Sequence, residues 1–300
     1  MKFVKPQVTK IYCTGLDGIL NVIQKAAKIC YASEKFSDEP LEICRFIDRL
    51  ISLGHYSPLE HGLFWVDIRR VTANIEDPFN WFIKGILDNV EQARHFWVSN
   101  SNPYIVGINA RTFAHNFDQQ GQFVNFTQFY NYIKDKYYEY FLDIKDVPFE
   151  LHPFSYEIWT TSKALKQLNR HFKEVGKCEQ STRFCNFNTS KFDNEVSYLY
   201  PYWWDDKETS DKKREHYSNS CKRNEEDYLT ATERDSKGNC LMSTDEASNI
   251  LSSGILSKGV YTASVREWNH IREARVNGLT GKPHGDIKKA ISLIFENPDW

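Results

Sequence analysis

The chemistry-bearing side chains of this sequence concentrate between positions 167 and 183, where Gln167, Arg170, His171, Lys173, Lys177, Glu179, Gln180, Ser181, Thr182 and Arg183 follow one another between apolar segments. Arginine suits phosphate and planar carbonyl-rich rings, because its fork donates two parallel hydrogen bonds and keeps its charge. Arg170 and Arg183, with Ser181 and Thr182 as further donors, therefore make this stretch a site for an anion, and Arg266 and Arg275 offer two more forks. No GxGxxG, GxxxxGK[ST] or GxSxG pattern occurs, which argues against a Rossmann turn, a P-loop or a nucleophile elbow. Cys178 and Cys185 admit two readings, nucleophile or small buried hydrophobe, and the lack of a clear partnering histidine favours the second. His55, Glu60 and His61 in GHYSPLEHG are open to metal ligation or to capping of neighbouring elements, and their spacing fits no common zinc pattern.

The elements that must position these residues can be read from periodicity. Residues 154–161 alternate as a strand and feed a helix starting near Ser162, on which Gln167, Arg170 and His171, three and four apart, share a face. The anion site thus lies at a strand-to-helix junction and in the loop beyond. Upstream, residues 3–13 read as a strand, Leu16 to Tyr31 as a helix, and the segment from Leu41 as a second helix stopped at Gly54. GHYSPLEHG then reads as a loop and residues 63–71 as a strand. Residues 77–98 read as an aromatic helix, 104–112 as a strand or short turn, and 123–142 as a helix whose aromatic stripe is core, since it lacks interleaved positive charge.

Downstream, residues 196–200 read as a strand. Ser243 with Glu246 and Ser264 with Glu267 have capping-box spacing, opening helices to Leu251 and to about Val276, with a strand over 255–263 between them. Arg266 and His270 share one face of the last helix. Arg275 follows Arg266 by nine residues, which at about 100° per residue turns it to the opposite side. The two arginines then serve two regions of a ligand, or two sites of a symmetric oligomer.

A chain of 300 residues with 41% hydrophobic content can bury a large core. Its net charge of −2 implies no general affinity for nucleic acid or an anionic membrane, so any anion is held locally. Seven cysteines without CxxC pairing, and an N-terminal stretch without the apolar core of a signal peptide, point to free thiols in a reducing, cytoplasmic compartment. No run approaches roughly eighteen apolar residues, so no membrane span is expected. Residues 205–240 mix both charge signs with few apolar anchors and read as a solvated helix or mobile excursion, an insertion in a single domain over 1–300.

The run CEQSTRFCNFNTSKFDNEVSYLYPYWW resembles the segment of flavin-dependent thymidylate synthases in which Glu-x-Ser-x-Arg-(Tyr/Phe) leads into Cys-Asn-(Tyr/Phe) and ends at a Pro and Trp pair. AKICYASE, GHYSPLEH, YIVGINAR and SVREWNHIREAR followed by TGKPH agree with that family in the same order. The resemblance implies an α+β fold, a twisted, largely antiparallel sheet flanked by helices, assembled as a homotetramer with shared active sites. It also implies reductive methylation of dUMP to dTMP by methylenetetrahydrofolate, with FAD as cofactor, NADPH as reductant and no protein nucleophile. By position, His55, Ser57, His171, Ser264, Arg266 and His270 match flavin contacts, and Glu60 and His61 complete the first motif. Gln167, Gln180, Ser181, Thr182 and Arg183 match nucleotide contacts, and Arg170 and Glu179 match residues near both ligands. Arg275 matches an arginine that favours ionisation at N3 of the uracil.

Two departures stand out. The family's Arg-His-Arg reads Arg170-His171-Phe172, with one residue more before Ser181 and with Lys173 as a substitute positive charge. An Ala-Arg pair expected against the nucleotide reads Ala247-Ser248. Each lost arginine removes about 1.5–3 kcal/mol where its bonds were charge-assisted. The alternative to an active synthase is therefore a divergent homologue that binds flavin or a pyrimidine nucleotide, acting on a different nucleotide or inactive.

Overall fold

The computed structural model describes residues 1–33, 35–74, 76–88, 96–117, 123–171 and 173–296. The predicted first strand is two strands, β1 (Lys2–Val4) and β2 (Gln7–Ile11), which enter different sheets. Pro6 lies at the break, and a residue without an N–H cannot continue a ladder. Helix α1 (Gly15–Ile29) buries Ile19, Leu20, Ile23 and Ala27, and α2 (Pro40–Ser52) stops just before Gly54, whose φ of +73° suits glycine. GHYSPLEHG is not a loop throughout, since Ser57–His61 forms a 3-10 turn.

Strand β3 (Leu63–Asp67) is shorter than the predicted 63–71 because Asp67 turns its carboxylate to the Arg69 N–H at 3.0 Å and caps α3 (Ile68–Ala73). The aromatic segment after it is a helix, α4 (Pro78–Asp88), and then a strand, β4 (Phe96–Val98). Strand β5 (Ile105–Asn109) passes through the cap Asn109 into α5 (Ala110–Asn116). The predicted helix over 123–142 is two pieces, α6 (Phe126–Ile133) and α7 (Tyr137–Tyr140), and its stripe is core as expected: Phe126, Phe129 and Tyr137 are buried with Phe64, Phe79 and Phe113.

Strand β6 (Pro153–Thr161) and helix α8 (Ser162–Leu168) fall where periodicity placed them, Thr161 capping the helix. They are followed by β7 (Val175–Glu179), β8 (Ser197–Leu199), α9 (Asp211–Thr232), α10 (Thr244–Ala247), β9 (Leu256–Ser264) and α11 (Val265–Arg272). The chain then takes a π-helical turn, Glu273–Asn277, before α12 (Gly285–Phe295). Most of the region 205–240 is a helix, one of the two forms expected of it, and it also carries a buried face. Within it α9 packs Cys221, Tyr228 and Ala231 against Val196 and Tyr198, and Glu225 accepts from the Val196 N–H at 2.9 Å. It is a charged helix with one buried stripe.

The fold is α+β. A four-stranded antiparallel sheet runs β2-β6-β9-β7, a three-stranded antiparallel sheet runs β3-β5-β4, and β1 pairs with β8 in parallel. Alternation along β9 decides which layer each side chain meets. Tyr261 and Ala263 face α8, α11 and α12, in a core with Leu165, Trp268 and Ile291, whereas Val260 packs with Cys178 against Val22 and Ala26 of α1. Among the described residues no helix is long and apolar enough to cross a membrane.

Candidate functional site

The central sheet assembles the site along β7 and β9. Their register sets Lys177 opposite Tyr261 and Glu179 opposite Gly259, so the odd-numbered side chains of both strands face α8. Tyr261 is fully buried and donates its hydroxyl to Glu179 Oε1 at 2.5 Å and to Asn169 Oδ1 at 3.1 Å. Asn169 Nδ2 donates to the same Glu179 oxygen at 2.6 Å. Lys177 Nζ donates to the carbonyls of Asn169 at 2.9 Å and His171 at 3.3 Å. The turn after α8 is thereby laid on the sheet.

That turn corrects the helical-face argument. Helix α8 stops at Leu168 with Asn169 as its cap, so Arg170 and His171 lie beyond it and are placed by Lys177 and by the last helix. Gln167 stays on the last turn of α8, half-buried. His171 is buried, and its Nε2 accepts from Arg275 Nε at 3.0 Å while its Nδ1 lies 3.4 Å from Glu267 Oε1. Because the Arg275 N–H requires a lone pair on Nε2, the network assigns the ring proton to Nδ1, facing the Glu267 carboxylate. His270 stands edge-on to His171 at 5.4 Å.

His171, Glu267 and His270 bring ligand-type atoms within 4.8 Å of one another, yet the ring of His171 has no free lone pair and Arg275 adds a positive charge beside it. The trio positions Arg275; it is not built to hold a cation. Burial, and then the neighbouring charge of Arg170, push the Arg275 guanidinium below its ordinary value. Among the described residues no carboxylate lies within ion-pair distance of Arg170 or Arg275.

The π-turn explains how Arg275 reaches this point. The 100° phase that set Arg275 opposite Arg266 assumes an unbroken α-helix, and the i→i+5 bonding from Glu273 changes it. Both arginines flank the same 169–174 segment. Ser264 caps α11 by accepting from the Glu267 N–H at 3.1 Å, as its spacing predicts, but the reciprocal half of the capping box is missing because the Glu267 carboxylate turns to His171. Ser264 also donates to Glu174 Oε2 at 2.6 Å, and Arg266 pairs with Glu174 Oε1. Lys173 is exposed with no ion-pair partner among the described residues, and Phe172 of the altered signature lies outside them.

A second group lies on the other side of β7. His55 and Ser57 line a cavity of about 300 Å³ with Cys30, Tyr31, Tyr56 and Arg111. His55 Nδ1 is 3.4 Å from the Tyr31 hydroxyl, Arg111 pairs with Glu60 at 2.5 Å, and Arg111 Nε donates to His115 Nε2 at 3.1 Å. His61 does not line it. It is fully buried, with Nδ1 2.8 Å from Thr262 Oγ1, no partner for Nε2 among the described residues, and a pKa lowered by burial to about 3. Close approach of this turn to the sheet requires Gly176, where a Cβ would meet the Glu60 carbonyl at 3.0 Å.

Cys178 connects the two groups. Its thiol donates toward Ser57 Oγ at 3.8 Å, and the neighbouring Cys30 thiol together with burial raises it. Burial raises Cys185 as well, so neither cysteine has the depressed pKa of a nucleophile. The loop after β7 is backbone-anchored: Gln180 N–H donates to the Lys258 carbonyl at 2.8 Å and Ser181 N–H to the Cys30 carbonyl at 3.0 Å. Thr182 follows, half-buried, and Arg183 forks onto Asp245 of α10 at 2.9 and 3.1 Å.

Of the predicted residues, Gln167, Arg170, His171, Glu179, Ser264, Arg266, His270 and Arg275 thus gather around the 169–174 turn. His55 and Ser57 line the cavity, Ser181 is bonded through its N–H to the carbonyl of the lining residue Cys30, and Arg183 sits at the edge, paired with Asp245 of α10. Lys177 belongs to the polar stretch but has no assigned ligand role, and Asn169, Glu174, Glu267 and Tyr261 are not read as site residues from the sequence. The one-residue surplus before Ser181 was the available signal for Glu174, and Tyr261 had only the alternation of its strand.

A mainly antiparallel α+β scaffold brings Arg170 and Arg275 near one another, and among the described residues neither has a carboxylate within ion-pair distance. The family described as thymidylate synthase complementing protein, the flavin-dependent thymidylate synthases, matches residues 120–296, and the chain belongs to that family. Among curated proteins none matches the chain.

Proposed function

We propose that the protein is a flavin-dependent thymidylate synthase that methylates dUMP reductively, with methylenetetrahydrofolate and NADPH as co-substrates and FAD as cofactor. The observation that carries this reading is the Arg170–Arg275 pair. Burial and the neighbouring charge of Arg170 push the Arg275 guanidinium below its ordinary value, and among the described residues no carboxylate lies within ion-pair distance of either arginine, so an anion between them is favoured.

Arg275 is the catalytic residue of the proposal. His171 takes its Nε–H, Glu267 faces the opposite edge of the His171 ring, and the remaining guanidinium N–H groups are left for the ligand. A fixed cation there favours negative charge at N3 of a uracil ring. Gln167, Arg170, Glu179, Gln180, Ser181, Thr182 and Arg183 complete the nucleotide side. Glu179 is already oriented by Tyr261 and Asn169, so its second oxygen is the one presented to a ligand.

The donor set suits FAD in part. His55 and Ser57 line a cavity with aromatic and cationic walls, and Arg170, His171 and His270 offer polar edges, whereas Ser264 and Arg266 are engaged by Glu174 and Lys173 is exposed. When bound, FAD supplies the hydride that completes the methyl group. No cysteine is required, in keeping with the raised Cys178 and Cys185. A homotetramer, as the family resemblance implies, in the reducing cytoplasm that the unpaired cysteines suggest, completes the proposal.

The test is direct. Purified protein incubated with FAD is expected to retain it as a yellow complex and to oxidise NADPH faster when dUMP is added. A protein that takes up no FAD sinks the reading; one that takes up FAD but shows no response to dUMP with folate favours the divergent flavin-binding homologue, the reading suggested by the missing Arg at Ser248 and the altered signature.

A further inference from the structure

Glu174 combines three properties that rarely coincide. Its side chain is only 5% exposed, its φ of +53° is a left-handed conformation uncommon for residues bearing a Cβ, and both of its oxygens are engaged. One oxygen accepts from Ser264 Oγ at 2.6 Å and the other takes the Arg266 guanidinium, which also donates to the Val98 carbonyl at 3.2 Å. A buried carboxylate persists only with charged and hydrogen-bonded partners, so this unusual backbone is held because the side chain must reach α11. The residue also falls within the stretch that is one position longer than the family signature.

The geometry points to Glu174 as an internal anion that competes with the anionic groups of the flavin cofactor for Ser264 and Arg266. This rests on the reading of those two residues as cofactor contacts. Ser264 and Arg266 hold the chain's own carboxylate, and a flavin diphosphate engages Arg266 only after Glu174 has left it. No covalent bond changes; one set of charge-assisted hydrogen bonds replaces another. The apparent affinity is lowered by the fraction of molecules in which Arg266 is free.

Full-length protein freed of flavin is titrated with FAD and followed by flavin fluorescence, using wild type, Glu174→Gln and Glu174→Gly, with folding checked by circular dichroism. Glycine accepts the left-handed backbone, so at least one variant keeps the turn. Both variants are expected to bind FAD about tenfold more tightly, the scale of one charge-assisted bond. In an Arg266→Gln background the gain from Glu174→Gly is expected to vanish. Variants that bind FAD no better than a wild type that does bind it, or a gain that survives Arg266→Gln, would overturn the competition and leave the flavin reading standing. Absence of FAD binding in all three proteins would overturn both.

Discussion

Arg266 and Arg275 project from one continuous helical segment, and both reach the turn between α8 and β7, but they meet opposite partners there. Arg275 meets a neutral imidazole; Arg266 meets a buried carboxylate. Arg183, out on the edge, is compensated like Arg266, by Asp245. The difference lies in what each arginine would leave behind on turning to a ligand. Removing one partner of a buried ion pair costs about 3–5 kcal/mol, because the other charge is stranded. A single bond from a guanidinium to a neutral ring is worth about 1.5–3 kcal/mol, and the ring is left uncharged. Arg275 is thus the arginine already poised for an anion, and Arg266 is a structural cation until something displaces Glu174.

The sharpest way to break this comparison is Arg275→Ala. Loss of a preorganised cation facing developing charge lowers turnover by about 10²–10³, so dUMP-dependent NADPH oxidation should all but disappear while FAD uptake in a direct titration is unchanged. Equal loss of both would mean that Arg275 and Arg266 serve one ligand and that the two regions are one. A gentler probe is Asp245→Asn, which frees Arg183. The pair is exposed, so the thermal midpoint should stay where it is, while dUMP affinity measured by calorimetry improves about two- to threefold. No change in affinity would remove Arg183 from the nucleotide loop.

Much of this arrangement is visible in the sequence, and the parts that are not share a physical cause. The strand-to-helix junction at residues 153–168, the cap at Ser264 and the aromatic packing of α6 are local events, set by alternation, by a hydroxyl and by helical spacing. The end of α8 at Leu168 and the π-turn at Glu273 come from tertiary bonds, Lys177 to the Asn169 carbonyl and Arg275 to His171, which no helical period encodes. Glu267 shows the competition in one residue: its spacing from Ser264 promises a capping box, and a buried histidine takes its carboxylate instead. Helix α9 is the reverse case. Its Cys221, Glu225, Tyr228 and Thr232 stripe follows helical spacing, but dense surrounding charge obscures it.

His61 has no place in the ligand chemistry, yet it ties the fold to acidity. Sealed between the Ser57–His61 turn and Thr262, it has a pKa of about 3 against an ordinary value of 6.5, so between those limits the unfolded chain binds a proton that the native chain refuses. Its contribution is complete above pH 6.5 and is lost as the pH falls toward 3. At pH 5 the deficit is about 2 kcal/mol. Urea unfolding at neutral pH and at mild acidity should show that loss in the wild type and a flatter response in His61→Asn, and an identical response in both would assign the acid sensitivity elsewhere. This member of the family would in this way carry a limit on acid exposure at a residue that touches neither arginine.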